Sequence, residues 1–224
     1  MDRGVTVEEV RRLGIRHRVF RGYEIDLTQE ADILFDAMDS SCRRCIRKAE
    51  KSGVTVEIAT DDTFAEEYYD QLKEVFARQR LVPTYPVERV RALVRHVLPT
   101  GNLLLLRAKD GGGRCIATGI FPAFNDTMYF WGGASRTEFR QLRPNEAIQW
   151  FAMRHWKSRG VAKYDMGGGG DYKEKYGGRE IAVPWIRQSR NGLLALMRDA
   201  ARWAFDLRQR LRGMGGRVDR PDED

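Results

Sequence analysis

Apolar positions along the chain switch between two rhythms, and each switch marks a change of element. HRVFRGYEIDL (17–27) alternates loosely, the two-residue period of a half-buried strand. TQEADILFDAMDSSCRRCIRKAEKSG (28–53) then sets Leu34, Met38, Cys42, Cys45, Ile46 and Ala49 at helical spacing. That stripe predicts one helix, capped by Thr28 and stopped at Gly53. VTVEIA reads as a short strand, and DDTFAEEYYDQLKEVFARQR as an amphipathic helix with acids in its first turn. Pro83 and Pro86 break it, and PVERVRALVRHVL begins another helix with proline in the first turn.

The middle of the chain changes period. NLLLLRAKD, RCIATGIFPAF and TMYFWGGAS are three β-prone runs joined by DGGG and ND, which predicts an antiparallel meander. Pro144 opens the helix PNEAIQWFAMRHWKSRG, closed by Gly160, and VAKYDM leaves it as a strand able to pair parallel through a crossover. A glycine-rich loop follows, then REIAVPWIRQ as a strand and LLALMRDAARWAFDLRQRLRG as a last helix. GMGGRVDRPDED reads as a loose tail, and there is no internal repeat. The order of elements predicts an α/β layer fold around a mixed sheet.

Composition narrows the setting. With 224 residues, 42% hydrophobic and 32% charged, the chain can build a core, and wholesale disorder is not expected. No apolar run reaches the roughly 18 to 20 residues that span a bilayer, so no transmembrane segment is expected. The start, MDRGVTVEEVRRLG, does not read as a secretory signal, and three cysteines make no disulfide framework. A cytoplasmic setting is the simplest reading, with a peripheral place at the inner membrane surface compatible with it. The formal charge of +7 draws anionic partners without choosing among RNA, nucleotides and lipid head groups.

Candidate chemistry is spread over several stretches. RRCIRKAEK places Arg43, Arg47 and Lys51 on one row of a helix, with Arg44 and Lys48 alongside, a set of cations able to meet phosphates. A solvated basic face is the plain alternative. Arg136, Arg140 and Arg143 precede the helix start at Pro144, where a helix end also favours anions. Cys42 and Cys45 sit on the apolar stripe, and no second cysteine pair completes a zinc site, so they read as core and no metal is expected. His155 shares a face with Ile148 and Phe151 and reads as a packed position, while His17 and His96 join no constellation. In YDMGGGGDYKEKYGG (164–178) the glycines let backbone pass close to a ligand or strand, and the spacing excludes a Walker-type phosphate loop.

The order of elements matches the GNAT acyltransferase plan. RRCIRKAEKSGV (43–54), MYFWGGAS (128–135), PNEAIQW (144–150), YDMGG (164–168) and YKEKYGG (172–178), in this order, resemble FemAB-type peptidoglycan bridge aminoacyltransferases and their acetyltransferase-like relatives, over residues 17–188. The resemblance implies a mostly antiparallel sheet flanked by helices, with residues 1–52 as an N-terminal strand and basic-helix extension. Residues 53–190 would form the acyltransferase domain, and 191–224 the last helix and tail. It implies transfer of an acyl or aminoacyl group to an amine, with aminoacyl-tRNA or acyl-CoA as donor and a peptidoglycan precursor or related anionic, lipid-linked acceptor. In that plan MYFWGGAS and VAKYDM splay apart to admit the donor, leaving the amides of Gly132, Gly133 and Ala134 exposed. Asp165, Glu146 and Asp171 are then the nearest carboxylates, with Tyr129, Tyr164 and Tyr172 as acid or positioning groups. Asp165 also suits a role accepting amides from the glycine turn. The loop resembles the family's FK-x-x-FGG turn, read as a mobile wall with Lys173 and Lys175 beyond the glycines and Lys173 facing an anion.

Two departures bear on the donor and the partner. The relatives carry two GNAT-like halves, and this chain resembles the second, which implies a partner chain, a homodimer or a reduced form. Where acetyl-CoA-dependent members carry a glycine turn for pyrophosphate, this chain reads RQLRPNE (140–146), without glycine. Side chains there hinder backbone amides from closing on pyrophosphate, which favours the FemAB-like branch. An acetyl-CoA N-acetyltransferase, and a non-catalytic basic module binding RNA or an envelope precursor, are the alternatives.

Overall fold

In the computed structural model, which describes residues 6–168, 170–186 and 191–214, eight strands form one sheet with helices on both faces. In chain order they are α1 (Val7–Arg12), β1 (His17–Asp26), α2 (Ala31–Ala37), α3 (Ser40–Lys51), β2 (Thr55–Ile58), α4 (Phe64–Arg78) and α5 (Val87–His96). Then come β3 (Leu103–Lys109), β4 (Cys115–Phe124), β5 (Thr127–Tyr129), β6 (Gly132–Ser135), α6 (Pro144–Lys157), β7 (Lys163–Gly168), β8 (Arg179–Ile186) and α7 (Gly192–Met214). The strand order is β2-β3-β4-β5-β7-β1-β8, with β6 beside β4. All pairs are antiparallel except β5 with β7, the two strands joined by the α6 crossover.

The four leucines opening β3 show why its sequence lacks alternation. Leu104 and Leu106 enter a core shared with α2, α3 and α6, while Leu103 and Leu105 enter a second core under α4 and α5. A strand covered on both faces has no polar side to display. The meander is present, and VAKYDM pairs parallel as its position after a helix predicts.

Four expectations are revised. The helix over 28–53 is two helices: Met38 is extended (φ −71°, ψ 151°), and α3 restarts at Ser40. The break is held from outside the stripe. Arg43 donates to the carbonyls of Asp36 (2.6 Å) and Met38, supplying donors that α2's last turn lacks. Thr28 caps no helix; its amide and hydroxyl donate to Asp26 Oδ1 in a turn. The third β-run divides at Phe130–Trp131 into β5 and β6. Finally, β1 is no extension. It lies between β7 and β8, and Tyr23, Ile25, Leu34, Cys42 and Ile46 share one core with α6. The end of the expected tail, from residue 215, lies outside the described residues, as do Gly169, residues 1–5 and the last two residues of REIAVPWIRQ.

Candidate active site

The sheet opens where β6 leaves β7. Thr127, Met128 and Tyr129 pair with Lys163, Tyr164 and Asp165, and Phe130 N donates to Asp165 O at 3.0 Å. Beyond that rung β6 continues beside β4, the strand β5 also pairs with, while the far half of β7 is held by β1 at Gly22–Gly168. Among the described residues no ladder joins β6 to β7, so the two strands diverge as the sequence reading expects.

Which amides face the gap follows from register. Arg136 N donates to Ile116 O (2.9 Å), and in an antiparallel ladder such bonds recur at every second residue. Ala134 and Gly132 therefore direct their N–H groups to β4, and Gly133 and Ser135 direct theirs toward β7. Of the three amides expected to be exposed, only Gly133 has that orientation, and Ser135 joins it unforeseen. Gly132 is glycine for a different reason: a Cβ there would stand 2.4 Å from the Tyr68 hydroxyl. On Gly133 a Cβ would meet the Phe130 ring at 3.1 Å.

The end of β6 leads to the start of α6. Asn145 Nδ2 donates to Ser135 Oγ (3.2 Å), tying the helix start to the strand end. Arg143 occupies the left-handed region (φ 59°, ψ 41°), the conformation a glycine would take easily. Its amide donates back to Arg140 O at 3.1 Å, and Pro144 has no N–H, so this turn offers few donors to a pyrophosphate. Glu146, buried in the first turn, pairs with Lys175 (2.7 Å).

Several candidate side chains are already engaged. Arg136 pairs with Asp70 (2.6 Å) and Glu74 (3.5 Å) on α4, which braces β6 against that helix. Arg140 and Arg143 are exposed. Lys173 is buried and donates to the carbonyls of Met166 (2.6 Å) and Gly168 (3.1 Å). Burial lowers its ammonium pKa, with Asp165 pulling the other way. Lys175, through Glu146, fixes the same wall to α6. Asp39 N donates to Lys175 O (2.9 Å), and a Cβ on Gly177 (φ 79°) would lie 2.6 Å from Ala37 O. The wall read as mobile is therefore pinned at several points.

Asp165 is buried beside the last rung, and its Oδ1 accepts from Gly167 N (2.8 Å), the turn-capping role. Tyr164 is fully enclosed and donates to Gln149 Oε1, and burial holds its hydroxyl well above the ordinary tyrosine range. Its ring packs in the core with Phe121. The Tyr129 ring lies against Gly167, at the mouth of the gap. Asp171 and Tyr172 are exposed on the 3-10 turn Asp171–Tyr176. Cys42 is buried in the core, its thiol pushed up to about 12 by burial, and His155 lies against the rings of Phe151 and Trp156.

On α3, Arg43 is spent on α2's carbonyls, whereas Arg44, Arg47, Lys48 and Lys51 are exposed; Arg47 lies over the Phe35 ring at 5.2 Å. Among the described residues no group of three or more His, Cys, Asp or Glu is placed to hold a metal ion. Sequence reasoning missed Ser135, Gln149 and Tyr68. The strand-end serine was the one signal at hand; the other two depend on contacts between distant segments.

A family model described as an acetyltransferase (GNAT) domain matches residues 37–176, more than half of the chain. No curated protein matches the sequence. Among solved structures, FemX superposes with a TM-score of 0.68 at 15% identity, over 81% of this chain and 68% of that one. The C-terminal domain of an assigned lysylphosphatidylglycerol synthetase from Agrobacterium fabrum gives 0.58 at 12% identity, over 85% and 67%. L-PGS from Bacillus licheniformis gives 0.54 at 12% identity, over 85% and 67%. At these identities the likeness is one of fold.

Proposed function

The chain belongs to the acetyltransferase (GNAT) domain family and is an acyltransferase, and from that premise we propose that it moves an aminoacyl group from aminoacyl-tRNA to the amine of a lipid-linked cell-wall precursor. The reading rests on one observation, the parting of β6 from β7 after the Phe130–Asp165 rung. The donor's ester carbonyl enters that gap, with the N–H groups of Gly133 and Ser135 directed at its oxygen. The acceptor amine attacks the carbonyl carbon, and the two amides stabilise the oxyanion that forms. The C–O ester bond then breaks, and the amine's surplus proton ends on the departing ribose hydroxyl.

No side chain is assigned as base. Asp165 and Glu146 are tied to Gly167 and Lys175, so positioning carries most of the acceleration. Tyr129, at the mouth of the gap, is proposed to orient the acceptor. Arg140 and Arg143 beside α6, and Arg47 and Lys48 on α3, supply exposed cations for the phosphates of a tRNA acceptor arm. Two features of the α6 entry support this donor over coenzyme A: Arg143 N is bonded back to Arg140 O, and Pro144 has no N–H where a glycine turn would present amides to pyrophosphate. A cytosolic setting gives access to charged tRNA, and a second GNAT-like half or a second copy would complete the acceptor cleft.

Thermal melting with each donor tests the reading. An aminoacyl-tRNA pool at a hundredfold excess over Kd is expected to stabilise the chain by about 2.7 kcal/mol, with coenzyme A inert. Stabilisation by coenzyme A alone, with acetyl transfer to an amine, overturns the tRNA donor in favour of an acetyltransferase. RNA binding that persists with no turnover of either donor overturns catalysis and leaves a basic binding module.

A further inference from the structure

None of the described side chains of α7 is buried, and large apolar ones stand in water, with Leu196 71% and Trp203 68% exposed. At about 100° per residue, Leu193, Leu196, Met197, Ala200, Trp203 and Leu207 fall within an arc of about 120°. Arg198 and Arg202 lie on the opposite side of the helix register. In sequence the helix carries Arg198, Arg202, Arg208, Arg210 and Arg212 against Asp199 and Asp206, on a chain of formal charge +7. The strand before it ends in Trp185 and Ile186, both also exposed.

We propose that α7 is a membrane-surface helix that lies in the plane of an anionic bilayer, its leucine and tryptophan arc sunk among the acyl chains and its arginines among the lipid phosphates. Three observations select this occupant. Among the described residues no helix is long and apolar enough to cross a membrane, so a bilayer would take the arc only along its surface. A wide apolar arc bearing tryptophan, on a helix rich in arginine, is the composition of interfacial helices. The net charge matches an anionic surface. A second copy of the chain fits less well. The alternating three- and four-residue spacing of Leu193, Leu196, Ala200, Trp203 and Leu207 meets Arg210 at the next position, shorter than the three or four heptads a paired helix sustains.

The full-length chain is sedimented with vesicles of phosphatidylglycerol and phosphatidylcholine, and with phosphatidylcholine alone. Binding to the anionic vesicles is expected, weakened by salt and at least about tenfold weaker on the neutral ones. The double variant Leu196→Glu/Trp203→Glu, altered only at exposed positions, is expected to lose about tenfold or more of that binding with its melting temperature unchanged. Absence of vesicle binding, or equal binding by parent and variant, overturns the proposal. So does a dimer in light scattering that the variant dissociates while vesicle binding stays the same. No donor or acceptor enters this assay, so its failure leaves acyl transfer untouched, and the reverse also holds.

Discussion

Gly132 and Tyr68 compete for one small volume. The Tyr68 hydroxyl, bonded to Tyr85 at 2.8 Å, stands where a Cβ of residue 132 would be. Gly132→Ala is expected to destabilise the chain by about 1–3 kcal/mol through overpacking. Tyr68→Phe alone forfeits a hydrogen bond, about 1 kcal/mol. Because Phe vacates the hydroxyl's place, the double variant should be more stable than the sum of the single losses. A denaturation cycle measures this, and strict additivity would break the link. From the sequence, the glycines of WGG were legible as a place where backbone is bare, but their separate causes were not. One clears Tyr68, a second clears Phe130, and only the register sorts the amides facing the gap. Lys173 shows the same limit. The lysine was visible, and that its partners are the carbonyls of Met166 and Gly168 depends on how the loop folds back.

At the scale of elements, α4 is fastened to β3 at its first turn. Arg107, nearly buried, donates to Asp61 (2.6 and 2.8 Å), Thr63 (2.9 Å) and Glu67. Hydrogen bonds from Arg107 and then Thr63 hold the Asp61 carboxyl far below its ordinary 3.8. A depressed folded value means that the contribution is complete above 3.8 and fades as pH falls through and below it. Asp61→Asn should therefore melt lower than the parent at neutral pH and lose less on acidification from about pH 5 to 2. Parallel melting curves for the two proteins across that range would contradict the assignment. The sequence announces α4, α5 and α6 through first-turn acids and prolines, and their cores lie where the spacing puts them. It conceals the break between α2 and α3, because the apolar stripe runs unbroken through Met38. Arg43, Lys175 and Gly177 impose that break, two of them from a segment far along the chain.

For the whole molecule, the strand at the start of the chain is the one most surrounded late in it. β1 bonds to β7 on one side and β8 on the other, and Tyr23, Ile25 and Leu27 fill the core under α6. A chain shortened to begin at Leu27 should lose its cooperative melting transition in near-ultraviolet circular dichroism, since it leaves β8 without a partner, one edge of β7 bare and a core open. A shortened chain that melts like the parent would restore β1 to the rank of an appendage. The layered α/β class and the parallel step after α6 were legible from element order alone. The place of β1 was not, because sheet neighbours distant in sequence leave no local pattern. The pinning of Lys173, Lys175 and Gly177 has a kinetic meaning for the proposed function as well. Under that proposal the slot beside β6 is a standing aperture and not a door, so capture would be set by encounter and discrimination by the width and charge of its lip.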